Sequence, residues 1–283
     1  MSETIIQLRA SEFDEAMEFL NMVFGEHSPH DFARMLPTIY RPTDEHMTHN
    51  HAIRVDGRIC AIVGMFPIAW QVGGARLRVA GIGGVSVRPD SRRLGYMRAL
   101  MEHCVGRMKA EGCHVSWLGG QRQRYLYFGY DKCGSGYRFT LNKSNLRHSF
   151  IGRPKVRFEP LTTDQPERLA RSKALHDAQP VHVERPLADF HRHLVCWYHV
   201  PYAAVDGDGD MVGYLVANAA GDTVTELLAR DDGAALEMVH AWTVDHCQAG
   251  ATFELHPWAR RLAQLLGRYC ESVSSTSTGN WQV

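Results

Sequence analysis

VAGIGGVSVRPDSRRLGYMRALM, residues 79–101, runs from an extended, glycine-rich segment into a helix. β-Branched Val85 and Val87 carry a strand that stops at Pro89, and Arg92, Arg93 and Gly95 follow. A helical period then sets in, with Leu94, Met97, Met101, Cys104 and Met108 spaced 3 and 4 apart on one face. Gly112 closes the helix, and His114 to Leu118 resumes a strand. A strand–helix–strand crossover of this kind makes the two strands parallel neighbours. It also sets a turn of main-chain N–H groups, flanked by cationic side chains, at a helix N-terminus. That arrangement suits an anion, and a pyrophosphate in particular.

Outward from this stretch, Thr4 to Leu8 reads as a short strand. Ser11 and Asp14 read as a capping box ahead of Phe13, Met17, Leu20 and Phe24. A second helix is expected from Ser28-Pro29, and 43–50 is polar and reads as a loop. Extended segments follow at 51–55, 58–72 and 76–88, separated by the turn signals Asp56-Gly57 and Gly73-Gly74. Residues 134–142 read as the last strand of this first unit, and the basic stretch 143–155 as a linker. The second half repeats the order more faintly. It has a strand at 155–159, a helix near 163–176, a hairpin about DGDGD (206–210) and a strand at 223–229. A helix at 234–247, a strand at 252–255 and a helix from Trp258 complete it, and the Ser/Thr-rich stretch 272–278 reads as a mobile tail. The expected fold is α/β, a mixed and mostly antiparallel sheet flanked by helices. It occurs in two tandem copies, 1–145 and 146–283, with the second degenerate.

A chain of 283 residues, 45% apolar and 22% charged, has the composition of a globular protein of two domains. Its formal net charge of zero offers no global attraction to nucleic acid or to an anionic membrane. The opening MSETIIQLRA lacks the basic and apolar regions of a signal peptide, and no apolar run has the length of a membrane span. Seven scattered cysteines without a C-x-x-C pair read as reduced thiols of a cytoplasmic protein.

Val85-Ser86-Val87-Arg88-Pro89 followed by Arg92-Arg93-Leu94-Gly95-Tyr96-Met97 resembles the GNAT superfamily of acyl-CoA-dependent N-acyltransferases. Their pyrophosphate loop reads Gln/Arg-x-x-Gly-x-Gly/Ala after a strand ending Val-x-Val-x-Pro. The family's second signature, a tyrosine shortly before Phe-Gly-aromatic, is matched by Tyr125-Leu126-Tyr127-Phe128-Gly129-Tyr130. The resemblance covers about 1–142, and Met97 departs from it, standing where the pattern has Gly or Ala. More narrowly, RRLGYMRALM with RYLYFGY resembles the Eis-type (enhanced intracellular survival) branch. That branch adds a second GNAT-like domain and a sterol-carrier-like domain, of which the latter has no counterpart in this sequence. It also sets a terminal carboxylate in the active site, which makes the position of Val283 a question for the structure.

The resemblance implies acetyl-CoA as co-substrate, no metal, and a primary amine of a small molecule or peptide as acceptor. Arg92, Arg93, Leu94, Gly95, Tyr96 and Met97 would hold the diphosphate. Main chain at Val85, Ser86 and Val87 would polarise the thioester carbonyl, in a gap where this strand splays from 114–118. Tyr125 would be the general acid, since a phenol is protonated at neutral pH and can serve a thiolate leaving group. Tyr127, Phe128 and Tyr130 read as packing on the sheet edge. Asp44, Glu45, His46 and His49 crowd one loop without singling out a general base. A non-catalytic acyl-CoA-binding module is the alternative function, and the sequence leaves a homo-oligomer open.

Other patterns carry less. His191, His193, Cys196 and His199 share a helix face only partly, as a metal site would not. DGDGD departs from a calcium loop at Met211 and Ala217 and reads as a hairpin turn. The second half's counterpart of the phosphate loop is Ala229-Arg230-Asp231-Asp232-Gly233. Its two carboxylates would repel a diphosphate and suit a first helical turn, so one CoA site per chain is expected.

Overall fold

The computed structural model describes residues 4–25, 29–147, 150 and 152–283, so Ser28, the expected start of the second helix, lies outside them. In chain order the first strands are β1 (Ile5–Gln7), β2 (Asn50–Val55), β3 (Arg58–Val72), β4 (Ala75–Val87), β5 (Val115–Leu118) and β6 (Asp131–Cys133). There follow β7 (Gly136–Asn142), β8 (Arg157–Pro160), β9 (Val181–Val183), β10 (Val200–Val205), β11 (Met211–Ala217), β12 (Thr223–Ala229), β13 (Gly250–Leu255), β14 (Ser272–Thr276) and β15 (Gly279–Gln282). The helices are α1 (Phe13–Phe24), α2 (Phe32–Met35), α3 (Asp44–Met47), α4 (Tyr96–Ala110), α5 (Arg122–Tyr125), α6 (Lys143–Arg147), α7 (Pro166–Asp177), α8 (Phe190–Leu194), α9 (Asp232–Ala241) and α10 (Arg260–Leu266). No helix among the described residues is long and apolar enough to cross a membrane.

The chain forms two compact units, Met1–Cys133 with Gly279–Val283, and Gly134–Thr278. In the first unit the strands lie in the order β1-β2-β3-β4-β5-β15-β6. The neighbours are antiparallel except β4 and β5, which are parallel as the crossover requires. The β2–β3 turn has positive φ at both Asp56 (49°) and Gly57 (77°), the conformation that matches a hairpin's twist. Alternate residues of β3 then serve two cores. Ala61, Val63 and Met65 pack with α4, and Ile62 and Phe66 with the α1–α2 side. Arg54 on β2 pins α1 by ion pairs of 2.6 Å to both Glu12 and Glu15.

The second unit repeats this plan in the order β8-β10-β11-β12-β13-β7-β14, again with one parallel pair, β12 and β13. α9 and the helical turn that follows it cover one face through Met238, Val239 and Trp242. On the other, Leu169 of α7 and Phe190 of α8 pack on Tyr214 and Val216. The fold is thus mixed α/β with two mostly antiparallel sheets flanked by helices.

Several local expectations differ from the structure. Residues 136–142 do not close the first sheet: they pair with β13 and β14 in the second. The strand beside β5 is β15, and the unit boundary falls at Cys133/Gly134. The stretch 272–278 contains a strand hydrogen-bonded to β7. Ahead of α1 the reciprocal bond runs from the Arg9 N–H to Glu12 (2.8 Å), two residues earlier than Ser11 and Asp14. The 43–50 segment holds α3 and the first residue of β2. Leu94 lies outside α4 and is 62% exposed.

Candidate active site

The β4–α4 connection is built by its backbone. A turn at Pro89–Ser91 ends β4, and Arg93 (φ 73°) and Gly95 (φ 86°) both take the left-handed conformation. Gly95 is the residue before α4, and no side chain caps the helix there. The N–H groups of a first helical turn have no intrahelical partner. Among the described residues, those of Arg93, Leu94, Gly95 and Met97 find none elsewhere. Arg92, Arg93, Leu94 and Gly95 are exposed, and the space beside the Gly95 Cα is open. Tyr96 and Met97 turn inward onto the α4 core, so the Met97 side chain does not crowd the loop. The result is an open, cationic cup of main-chain donors on the positive end of a helix dipole.

Beside it the sheet opens. β4 and β5 pair from Val79↔Val115 to Ile82↔Leu118, where β5 ends and β4 runs on to Val87. Gly83–Val87 therefore has no strand neighbour on that side. β4 also bulges: Gly64 pairs with Gly83 but Ile62 with Ser86, leaving one extra residue on β4. The bulge reverses the side-chain parity, so Ala80, Ile82, Val85 and Val87 all face the α4 core. The buried Ser86 hydroxyl donates to the Gly84 carbonyl (2.9 Å). Gly84 has φ 60°, and a Cβ there would come within 2.7 Å of the Tyr40 hydroxyl. That hydroxyl is buried and makes no hydrogen bond among the described residues. Nothing in the sequence around Tyr40 singles it out for this contact.

Tyr125 ends α5 and is 8% exposed, packed with Tyr96, Leu100 and Leu118 in the α4 core. Its ring lies against Gly120, where a Cβ would come within 2.7 Å of a ring carbon. Burial pushes its phenol above the ordinary value, which keeps it protonated at neutral pH. Tyr130 has a different role: its hydroxyl bonds Ser116 (2.6 Å), which donates to the Ala80 carbonyl (2.8 Å). Burial pushes that phenol up to about 12. Phe128 packs on the core, but Tyr127 is 92% exposed, contrary to the expectation for the cluster.

Residues 4–133 match the family model described as Acetyltransferase (GNAT) domain. Solved structures similar over the whole chain share this fold at low identity. One is a conserved protein of unknown function from Enterococcus faecalis V583, a probable N-acyltransferase (15% identity, 100% of this chain and 72% of that one, TM-score 0.73). A second is a GCN5-related N-acetyltransferase from Kribbella flavida (21%, 98% and 70%, TM-score 0.68). A third is Eis1 from Mycobacterium abscessus (18%, 99% and 73%, TM-score 0.64). No curated protein sequence matches the chain.

Within the GNAT-matching unit, β15 runs antiparallel to β5 with Gln282 opposite Ser116. Val283 is therefore directed toward the start of β5, away from the bulge and the loop. Trp281 stacks flat on Trp70 (5.0 Å, 5°), and Asn280 donates to the Gly120 carbonyl beside Tyr125 (2.9 Å). Of the 43–50 candidates, Asp44 accepts from the Ala10 N–H (2.8 Å) and His46 bonds Thr43 (2.7 Å). Both are structural contacts, whereas His49 lines a cavity.

In the second unit, Asp231 precedes α9 and its carboxylate accepts from the Ala234 N–H (2.8 Å). Asp232 occupies the first helical turn. The β12–β13 pairing ends at Val224↔Phe253, and a bulge separates Val216↔Glu226 from Ala217↔Val224. Beyond the last pair, Glu226 is clamped by Arg185 (3.0 and 2.9 Å) and accepts from the Tyr214 hydroxyl. His191 bonds the Leu161 carbonyl (3.0 Å). DGDGD is a turn in which Asp206 accepts from the N–H groups of Asp208 and Asp210. Among the described residues, no three His, Cys, Asp or Glu gather as a metal site would need.

Proposed function

We propose that the chain is an N-acetyltransferase that moves an acetyl group from acetyl-CoA to a primary amine of a small molecule or peptide. The observation that carries this reading is the uncapped, exposed start of α4 beside the opened β4 edge. In this reading, the N–H groups of Arg93, Leu94, Gly95 and Met97 hold the diphosphate, with the Arg92 and Arg93 guanidinium groups adding charge. Backbone at Val85, Ser86 and Val87 faces the thioester carbonyl and polarises it, as preorganised donors do. The amine forms the new C–N bond as the C–S bond breaks. The amine's proton leaves to solvent, and Tyr125 gives its own to the departing thiolate. The second unit binds no CoA in this account, because its helix start is occupied by Asp231.

Thiol release from acetyl-CoA across a panel of primary amines tests this, with the product identified by mass. Amine-dependent release with a gain of one acetyl group is expected. Acetyl-CoA binding without turnover on any amine would replace the reading with a non-catalytic acyl-CoA-binding module.

A further inference from the structure

β15 meets the segment that holds Tyr125 at both of its ends. Asn280 and Gln282 lie opposite Leu118 and Ser116 of β5, and as alternate residues they share one face of the sheet. That face is the α4 side, since Leu118 packs in the α4 core. The Asn280 amide donates to the Gly120 carbonyl (2.9 Å), just ahead of α5. The Gln282 side chain lies over Gly129, where a Cβ would come within 2.9 Å of its amide nitrogen. α5, with Tyr125, and the helical turn that follows it fall between these two contacts.

The first contact bears on the Tyr125 ring. Gly119 and Gly120 are exposed and, among the described residues, make no backbone–backbone hydrogen bond. Two adjacent glycines without such bonds form a slack hinge, and the Asn280 side chain ties it down. The Tyr125 ring rests on Gly120: a Cβ there would come within 2.7 Å of one ring carbon and 3.5 Å of Cζ, which bears the hydroxyl. Displacing Gly120 therefore displaces the phenol.

The same bond returns little to the stability of the fold. Asn280 is 2% exposed, and its Oδ1 has no hydrogen-bond partner among the described residues. One neutral hydrogen bond is thus offset by a buried acceptor left unpaired, and a leucine of similar size would forfeit little. We propose that Asn280 is a positioning residue for acetyl transfer, aiming the Tyr125 hydroxyl at the departing thiolate through Gly120. The inference rests on the acetyltransferase reading above, with Tyr125 as its general acid.

A double-mutant cycle on the full chain, read by amine-dependent thiol release from acetyl-CoA, tests it. Asn280→Leu should lower kcat about tenfold, with acetyl-CoA affinity by calorimetry and the denaturant midpoint unchanged. In the Tyr125→Phe background the same substitution should change kcat by about twofold or less, because the hydroxyl it aims is gone. Asn280→Ala, which removes the amide without adding a branched side chain, should repeat the pattern. Full kcat in both Asn280 variants, or an equal loss with and without the Tyr125 hydroxyl, would overturn the positioning role and leave acetyl transfer standing. A wild type without turnover, or full turnover in Tyr125→Phe, would instead overturn the reading beneath it, and the inference with it.

Discussion

α4 and α9 both follow the strand that splays from its parallel neighbour, and both follow a bulge in that strand. At α4 the residue before the helix is Gly95, which has no side chain to cap with and leaves the first-turn N–H groups open. At α9 the same position is Asp231, whose carboxylate fills that need from within the chain. The opened strand edge differs as well. Beyond the last β4–β5 pair the residues are Gly83, Gly84 and Val85, whereas Glu226 beyond the last β12–β13 pair is locked by Arg185 and Tyr214. The same framework, then, leaves main-chain donors open in one unit and satisfies them internally in the other.

The sharpest way to break this contrast is to give α4 the solution used by α9. Gly95→Asp places a carboxylate among the loop donors, and acetyl-CoA affinity should fall at least a hundredfold, about 2.7 kcal/mol or more, by calorimetry. Far-UV circular dichroism should stay native. Next in size is Tyr125→Phe, which should lower kcat about a hundredfold with the acetyl-CoA dissociation constant unchanged. Unchanged turnover would remove Tyr125 from the mechanism.

A third test exploits one neutral histidine in each unit, buried His51 and half-buried His193, both held near 4 against an ordinary 6.5 mainly by desolvation. The unfolded chain takes up these protons first as the pH falls. The stability they contribute is therefore complete above pH 6.5 and lost on descending toward pH 4, roughly 2–3 kcal/mol for each. Denaturant midpoints at pH 7 and 4.5 should show the fall, and His193→Gln should reduce it. At the bulge, Gly84→Ala should destabilise by about 1–3 kcal/mol, because it strains φ and meets the Tyr40 hydroxyl. Tyr40→Phe should relieve part of that cost in the double variant. The smallest effect belongs to α9: Asp231→Ala should cost about 1 kcal/mol of stability and leave acetyl-CoA binding intact.

Much of the framework was written locally. Asp56-Gly57 and Gly73-Gly74 announced their hairpins, and V-x-V-x-P with R-R-L-G announced the loop and the helix after it. What local pattern cannot carry is partner choice. Alternating Tyr137, Phe139 and Leu141 marks 136–142 as a strand, yet either sheet would accept it. β14 carries no apolar face, all five of its residues being exposed, so only its hydrogen bonds to β7 reveal it. His51 sits inside the strand sequence NHAIRV, where a buried histidine looks like any core residue. Tyr40 stands before Arg41-Pro42, and only the bulge at Gly84 brings the two together.

The most direct test is the number of acetyl-CoA molecules bound per chain, measured by calorimetry on the wild type and on Gly95→Asp. One site, lost in the variant, is the result expected if an open helix start separates the two units. Two sites, or one that survives Gly95→Asp, would contradict it.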